Sequence, residues 1–308
     1  MRVLDGPWQE WAGVPGPSSV TIGVLDGVHR GHRSLLARLD RSLTATVLTF
    51  DPHPVEVLRP GTPPRLITTI DERVALLDGV GIECVGVLDL SEIKEQAPEE
   101  FVEAILVGKL KIGQLVVGED FRFGKDRSGD VALLARLGSE LGFEVDIIEL
   151  MKDGDSPVSS SRIRGLIESG DVGAASDLLG SWFAATNVVV DGDKRGREIG
   201  FPTANLRPPD RKVVPATGVY ACFATVGGVH HDAAVNVGVR PTFGGGELLI
   251  EAHILDFEAD VYGEELTLEF VTYSRPELRF AGVDDLVAQM RRDVDESRVA
   301  LEAARSRI

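Results

Sequence analysis

The sequence predicts an α/β unit built on a parallel sheet, followed by an antiparallel β unit that ends in a helix. Three observations carry this. Up to about residue 180, short Val/Ile/Leu runs alternate with amphipathic stretches, the pattern of strands buried on both faces by the helices between them. After Gly180 the runs turn β-branched or aromatic and are separated by Gly, Pro and Asp, which fits a small antiparallel barrel or sandwich. The chain also has 308 residues, more than one hydrophobic core usually serves, so two domains are expected. Their boundary falls near residues 182–187, giving domains 1–183 and 184–308.

Residues 19–25 (SVTIGVL) read as the first buried strand and 31–40 as the helix after it. Residues 44–50 are a second strand. Residues 69–77 read as a helix capped by Thr68 or Thr69, with Asp71 and Glu72 in its first turn, where the helix dipole favours acids. Residues 82–88 form a third strand, and 98–107 a helix opened by a proline whose missing N–H is not needed there. Residues 114–118, then VALLARLGSEL and FEVDIIEL, complete strand, helix, strand. Ligands of such sheets bind beyond the carboxyl ends of the strands, which points to the loops after Leu25, Phe50, Leu88, Gly118 and Leu150. Two more helices are expected at 159–169 and 172–179. In the second unit NVVVDG, GVYACFATV, HDAAVNVG, LLIEAHIL and LTLEFVTY read as strands. Val283, Leu286, Val287, Met290 and Val294 then recur at helical spacing, predicting a helix packed on the barrel.

Composition narrows the function. With 32 Lys+Arg against 49 Asp+Glu, the net charge of −17 argues against general binding to nucleic acid or anionic membrane, both of which need a basic face. An anionic small molecule is still admitted, because backbone amides and a bound cation override the global field locally. Cys84 and Cys222 sit in separate apolar runs and read as buried, reduced thiols. The start MRVLDGPWQEW lacks the apolar core of a signal peptide, and no run is long enough for a membrane helix, so the expectation is a cytoplasmic protein acting on small molecules. Oligomeric state is left open.

The segment richest in chemistry is Gly23-Val-Leu-Asp26-Gly27-Val-His29-Arg-Gly31-His32, which leaves the first strand and opens the first helix. Backbone N–H groups and the helix dipole favour a phosphate there. Two histidines three apart suit a polyphosphate pressed against backbone, with imidazole N–H groups stabilising charge on a reacting phosphorus. The spacing is not that of a P-loop. Asp51 follows the second strand. Asp120, Phe121 and Phe123 follow the fourth, the two rings offering faces for a flat ligand. Ser159, Ser160 and Arg164 open a helix and offer donors for phosphates. Taken singly, the phenylalanines read as core and the serines as caps; together with HxGH they read as one cleft.

The second half carries Gly192-Asp-Lys194-Arg-Gly196, a basic glycine loop able to fold over a polyphosphate, running into Pro202-Thr203-Ala-Asn205. The oxygens of Thr203 and Asn205 suit Mg²⁺. Glu251, among apolar neighbours in a strand, is a candidate general base or, on the alternating pattern, an outward-facing carboxylate.

DGVHRGH resembles the signature of the nucleotidyltransferase superfamily. Together with VGEDFRFG, VSSSRIR, GDKRGREIGFPTANL, NVGVRPTF, EAHILDF and the Asp260-Val-Tyr262-Gly263 turn, it makes the chain closely similar to the prokaryotic bifunctional riboflavin kinases/FAD synthetases, from Ser19 to about Leu301. The resemblance implies a Rossmann-like nucleotidyltransferase domain and a flavokinase-type barrel with a terminal helix. It implies phosphorylation of riboflavin by ATP and Mg²⁺ to give FMN, then transfer of AMP from a second ATP to FMN, giving FAD and pyrophosphate. It implies Glu251, His29 and His32 as catalytic; Gly23, Asp26, Gly27, Gly31, Ser159, Ser160, Arg164, Gly192, Lys194, Gly196, Thr203 and Asn205 at ATP; and Asp51, Asp120, Phe121, Phe123 and Arg275 at flavin. Thr203 and Asn205 hold the metal. Leu25 stands where the family usually has Phe, and Ser161 where it has Thr. Leu25 leaves room for one alternative, a kinase whose N-terminal half binds flavin without adenylylating it. A second, of another class, is a non-catalytic flavin carrier that keeps the shape of both sites.

Overall fold

The computed structural model describes residues 1–61, 63–192, 195–242 and 245–306. The chain divides into two compact units, Met1–Ser160 and Ser161–Ile308.

Among the described residues the first unit is built on six parallel strands: β1 (Arg2–Leu4), β2 (Ser18–Ile22), β3 (Thr44–Phe50), β4 (Cys84–Leu88), β5 (Ile112–Gly118) and β6 (Glu144–Ile148). Their order is β1-β4-β3-β2-β5-β6. The chain winds from β2 out to β4 and then crosses back to lay β5 on the other side of β2. The order therefore reverses between β2 and β5, where a crevice opens at the strand ends. Helices α1 (Arg30–Leu36), α2 (Pro54–Leu58), α3 (Ile70–Gly79), α4 (Pro98–Phe101) and α5 (Val131–Leu141) complete the unit. Alternate strand residues feed two cores: Leu48 joins Phe101 and Leu134 on one face, while Val47 joins Leu36 and Leu77 on the other.

Several elements differ from the sequence expectation. The first strand stops at Ile22, because the backbone turns into the left-handed region at Leu25 (φ 49°). β1 and α2 were not expected. The 98–107 helix is α-helical for one turn and then π-helical over Val102–Lys109, closing with Leu110 N–H on the Ile105 carbonyl at 2.9 Å. A short hairpin, β7 (Lys152–Asp153) and β8 (Ser156–Pro157), precedes the unit break.

The break at Ser160/Ser161 lies upstream of the 183/184 boundary read from the sequence. The break falls in the first turn of α6 (Ser160–Glu168); α7 (Val172–Leu179) follows and packs against two strands of the second sheet, β9 (Phe183–Val188) and β14 (Glu265–Arg275). Gly170, between the helices at φ 86°, also lies close to the Tyr220 hydroxyl, so a side chain there would meet it at 3.2 Å.

The second sheet contains β9, β10 (Ala204–Leu206), β11 (Gly218–Val226), β12 (Val229–Thr242), β13 (Gly245–Ile254) and β14, all antiparallel, in the order β10-β13-β12-β11-β14-β9. The edges meet where Val190 N–H donates to the Asn205 carbonyl at 2.8 Å, which closes the sheet into a barrel. The strand expected at 187–192 thus begins earlier, at Phe183, whose ring packs on Phe270 of β14. A short helix, α8 (Arg195–Glu198), lies between β9 and β10, and α9 (Val283–Arg305) covers one face. Along β11, Tyr220 and Cys222 point into the barrel, whereas Ala221 and Phe223 meet Leu301 and Ala304 of α9. Among the described residues no helix is long and apolar enough to cross a membrane.

Two candidate active sites, one in each unit

In the first unit the loop leaving β2 is held in an uncommon backbone shape, with positive φ at Leu25, Gly27 and Val28. Leu25 and Val28 are fully buried in the core beside Leu36, so tertiary packing enforces a conformation that branched residues rarely adopt. Asp26 is 1% exposed. Its Oδ2 accepts from Ile67 N–H at 3.0 Å, and its Oδ1 from Thr68 N–H at 2.9 Å and the Thr68 hydroxyl at 3.1 Å. Thr68 Oγ1 in turn accepts from Gly27 N–H at 3.0 Å, and Ser160 Oγ donates to the Asp26 carbonyl at 3.1 Å. Asp26, Gly27 and Ser160 therefore shape the loop from within.

His29 caps α1: its Nδ1 accepts from His32 N–H at 3.3 Å, and the two rings stack with centroids 3.5 Å apart. A nitrogen that accepts carries no proton, so this contact leaves Nε2 as the His29 nitrogen that bears N–H. Gly31 makes the stack possible, since a Cβ there would stand 3.2 Å from His29 Cε1 and 3.4 Å from the Val158 carbonyl. The Nδ1 of His32 is enclosed and has no hydrogen-bond partner. Burial first, then His29 and Arg73, hold the His32 pKa well below the ordinary histidine value, so the ring is neutral.

Beyond β5, Phe121 is half-buried and stacks on Phe123 with centroids 5.8 Å apart. Phe123 is 7% exposed and belongs to the core, locked between Phe101 and Gly129. Phe121 thus offers a ring face, and Phe123 backs it. Asp51 and Asp120 are exposed at the ends of β3 and β5, and Gly23 and Ser159 flank the loop and the start of α6. Arg164 lies on α6, where its Nη2 donates to Ser161 Oγ at 3.1 Å.

In the second unit two cavities flank β13. One, of about 310 Å³, is lined by Glu251, His253, Asn236, Arg275 and the apolar first turns of α9. The other, of about 520 Å³, is lined by Ala252, Ile254, Arg197, Asp260 and Tyr262. Alternation along the strand assigns Glu251 and His253 to the first and Ala252 and Ile254 to the second, which resolves the orientation left open for Glu251. Thr203 lines both. Glu251 lies in register with Asn205 on one side and Asn236 on the other. Asn205 is 4% exposed, its Nδ2 reaches the Thr203 carbonyl at 3.5 Å, and its Oδ1 has no hydrogen-bond partner.

Glycines fit this site closely. A Cβ on Gly192 would stand 2.2 Å from Asn205 Nδ2, and one on Gly196 would stand 2.2 Å from the Phe201 carbonyl. Lys194 lies outside the described residues. Arg275 lines the smaller cavity, but its guanidinium is engaged by Asp293 of α9.

The sequence reading missed Arg73, Asn236, His253 and Asp293. His253 and Asn236 had a signal, one two residues from Glu251 on the same strand face and the other opening NVGVRPTF. Asp293 had a weaker one, a carboxylate inside the apolar stripe of the last helix. Arg73 had none.

Comparison with known proteins gives these features their family. Residues 13–162 match the family model described as FAD synthetase, and residues 179–301 the one described as riboflavin kinase. The chain is similar to the bifunctional riboflavin kinase/FMN adenylyltransferase of Escherichia coli (strain K12), 37% identical over 281 residues that cover 89% of this chain and 90% of that protein. It is similar to the protein of the same name from Bacillus subtilis (strain 168), 34% identical over 291 residues and 91% of each. A solved structure described as a macrolide-efflux protein from Streptococcus pneumoniae matches with a TM-score of 0.87 and 32% identity over 94% of this chain and 96% of that one. Both modules and nearly the full length are shared, and the chain belongs to the bifunctional riboflavin kinase/FMN adenylyltransferase family.

Proposed function

We propose that residues 184–308 phosphorylate riboflavin with ATP at the paired cavities, and that residues 1–183 transfer AMP from a second ATP to the FMN so made, in the cytoplasm. The observation that carries this reading is Thr203, which lines two cavities on opposite sides of β13, one holding Glu251 and the other Arg197 and Asp260, so that one hydroxyl reaches both a hydroxyl-bearing substrate and a phosphate donor.

For the kinase, Glu251 takes the proton of the ribityl 5′-hydroxyl as that oxygen attacks the γ-phosphorus. The bond to the β–γ bridging oxygen breaks and ADP leaves. The enclosed, unpartnered Oδ1 of Asn205, two residues beyond the Thr203 hydroxyl, is a hard-oxygen donor set that fits Mg²⁺. Bound there, the ion would neutralise charge on the phosphates. For adenylyl transfer, an FMN phosphate oxygen attacks the α-phosphorus in line and pyrophosphate leaves. No nucleophile from the protein is needed. His29, through Nε2–H, and His32 donate to the α-phosphate as its charge grows, Ser159 and the loop amides hold the triphosphate, and Phe121 lies against the flavin. Asp26 acts by fixing the loop.

A time course with riboflavin, ATP and Mg²⁺, separating the flavins by chromatography, tests the reading. FMN that rises and gives way to FAD is expected. FMN that accumulates without FAD would restrict the chain to the kinase step, and untouched riboflavin would overturn both assignments.

A further inference from the structure

We propose that Arg73 is a positioning residue for adenylyl transfer, a buried cation that ties the end of β3 to the histidine loop and fixes both against α3. The proposal rests on the reading of the His29–His32 loop as the adenylyl-transfer site.

Arg73 sits on α3 and is 2% exposed. Its Nη1 donates to Thr49 Oγ1 at 3.2 Å and to the Phe50 carbonyl at 3.3 Å. The Thr49 hydroxyl passes the connection on, donating to the Val24 carbonyl at 2.8 Å. One guanidinium thus holds the end of β3, just before Asp51, and through one hydroxyl holds the loop two residues before Asp26. The return connection comes from Asp26, whose carboxylate accepts from Ile67 and Thr68 immediately ahead of α3. Loop, strand end and helix start form a closed circuit of polar contacts, with the strained residue Leu25 inside it, between Val24 and Asp26.

A buried arginine is a costly way to brace a fold, because its charge loses water and its hydrogen bonds must all be found inside. Here the cost is only partly met, since Nε has no hydrogen-bond partner. Burial lowers the Arg73 pKa, while the carboxylates of Asp26 and Asp51 oppose that shift. In the other direction, Arg73 and His29 both act against a proton on His32. A neutral donor of the same shape would brace the strand as well. What a cation adds is positive potential beneath a loop that must receive a triphosphate and an FMN phosphate, in a chain of net charge −17.

The experiment separates brace from charge, using full-length protein with FAD synthesis from supplied FMN as the readout and FMN synthesis from riboflavin as the control. Arg73→Met is expected to lower kcat/KM for FAD synthesis about a hundredfold. Arg73→Lys, which keeps the charge, is expected to recover most of kcat. Thr49→Val, which cuts the connection to Val24 and leaves the cation, is expected to lower kcat with little change in KM for ATP. This variant carries the test should Arg73→Met fail to fold. The inference is overturned if Arg73→Met makes FAD at the wild-type rate, if Arg73→Lys is as impaired as Arg73→Met, or if FMN and FAD synthesis fall together. Wild-type protein that makes no FAD would instead remove the adenylyl-transfer reading itself.

Discussion

The guanidinium of Arg275 and the carboxylate of Asp293 meet fork to fork, with Nε 2.8 Å from Oδ1 and Nη2 2.6 Å from Oδ2. Arg275 also donates to the Pro276 carbonyl at 2.9 Å, and Gln289 to Asp293 Oδ1 at 2.9 Å. The pair joins the end of β14 to the middle of α9, and both residues line the smaller of the two cavities beside β13.

Removing one member of such a pair leaves the other charge enclosed. Asp293→Ala should destabilise the second unit by about 2–4 kcal/mol and weaken riboflavin binding, because the segment from Pro276 onward loses its tie to α9. Urea unfolding and quenching of flavin fluorescence measure the two effects. FAD synthesis from added FMN should persist.

His32 gives a pH dependence whose sign follows from its environment. Its folded pKa lies well below the ordinary 6.5, so below that pH the unfolded chain takes up a proton that the native ring refuses. Stability should therefore fall as pH drops from about 6.5 toward the folded value. His32→Gln should flatten that part of the curve, a change read by urea midpoints at about pH 7.5 and about pH 5.5.

Two glycines separate the activities. A methyl on Gly31 would press on the His29 ring, so Gly31→Ala should cut FAD synthesis by about a hundredfold and spare FMN synthesis. A methyl on Gly196 would stand 2.2 Å from the Phe201 carbonyl, a backbone atom that cannot rotate away. Gly196→Ala should cost the kinase and spare FAD synthesis from supplied FMN. Parallel assays of the two variants check the crossed pattern.

Neither thiol should react in the native protein. Burial pushes Cys84 up to about 11 and Cys222 well above its ordinary value, so the thiolate is scarce at neutral pH. A thiol reagent should label both cysteines in urea and neither without it.

The alternation of strands and helices was legible because buried parallel strands leave continuous apolar runs, and residues 44–50 and 172–179 fall as read. The place of HxGH, leaving β2 and opening α1, was legible because a glycine-rich loop after a buried apolar run marks a strand-to-helix turn. Features that depend on distant partners were not. Phe123 reads like Phe121 in sequence, and only Phe101 and Gly129, brought in from elsewhere, make it core. Arg73 lies in TTIDERVALL, where an arginine reads as part of a solvated helix face. β9 was displaced because its register is set by β14 and by barrel closure rather than by the most β-branched stretch of sequence.

The burial along α9 is uneven. Asp293, Ser297, Leu301 and Ala304 are enclosed, while Leu286 and Met290 line the Glu251 cavity and Val283 is exposed. Mechanically the helix is a cantilever, clamped from Asp293 onward and free at its first turns. Its backbone amides should exchange with solvent in a gradient, slow at the clamped end and fast at the tip, and a flavin beneath the tip would turn the beam into a bridge supported at both ends.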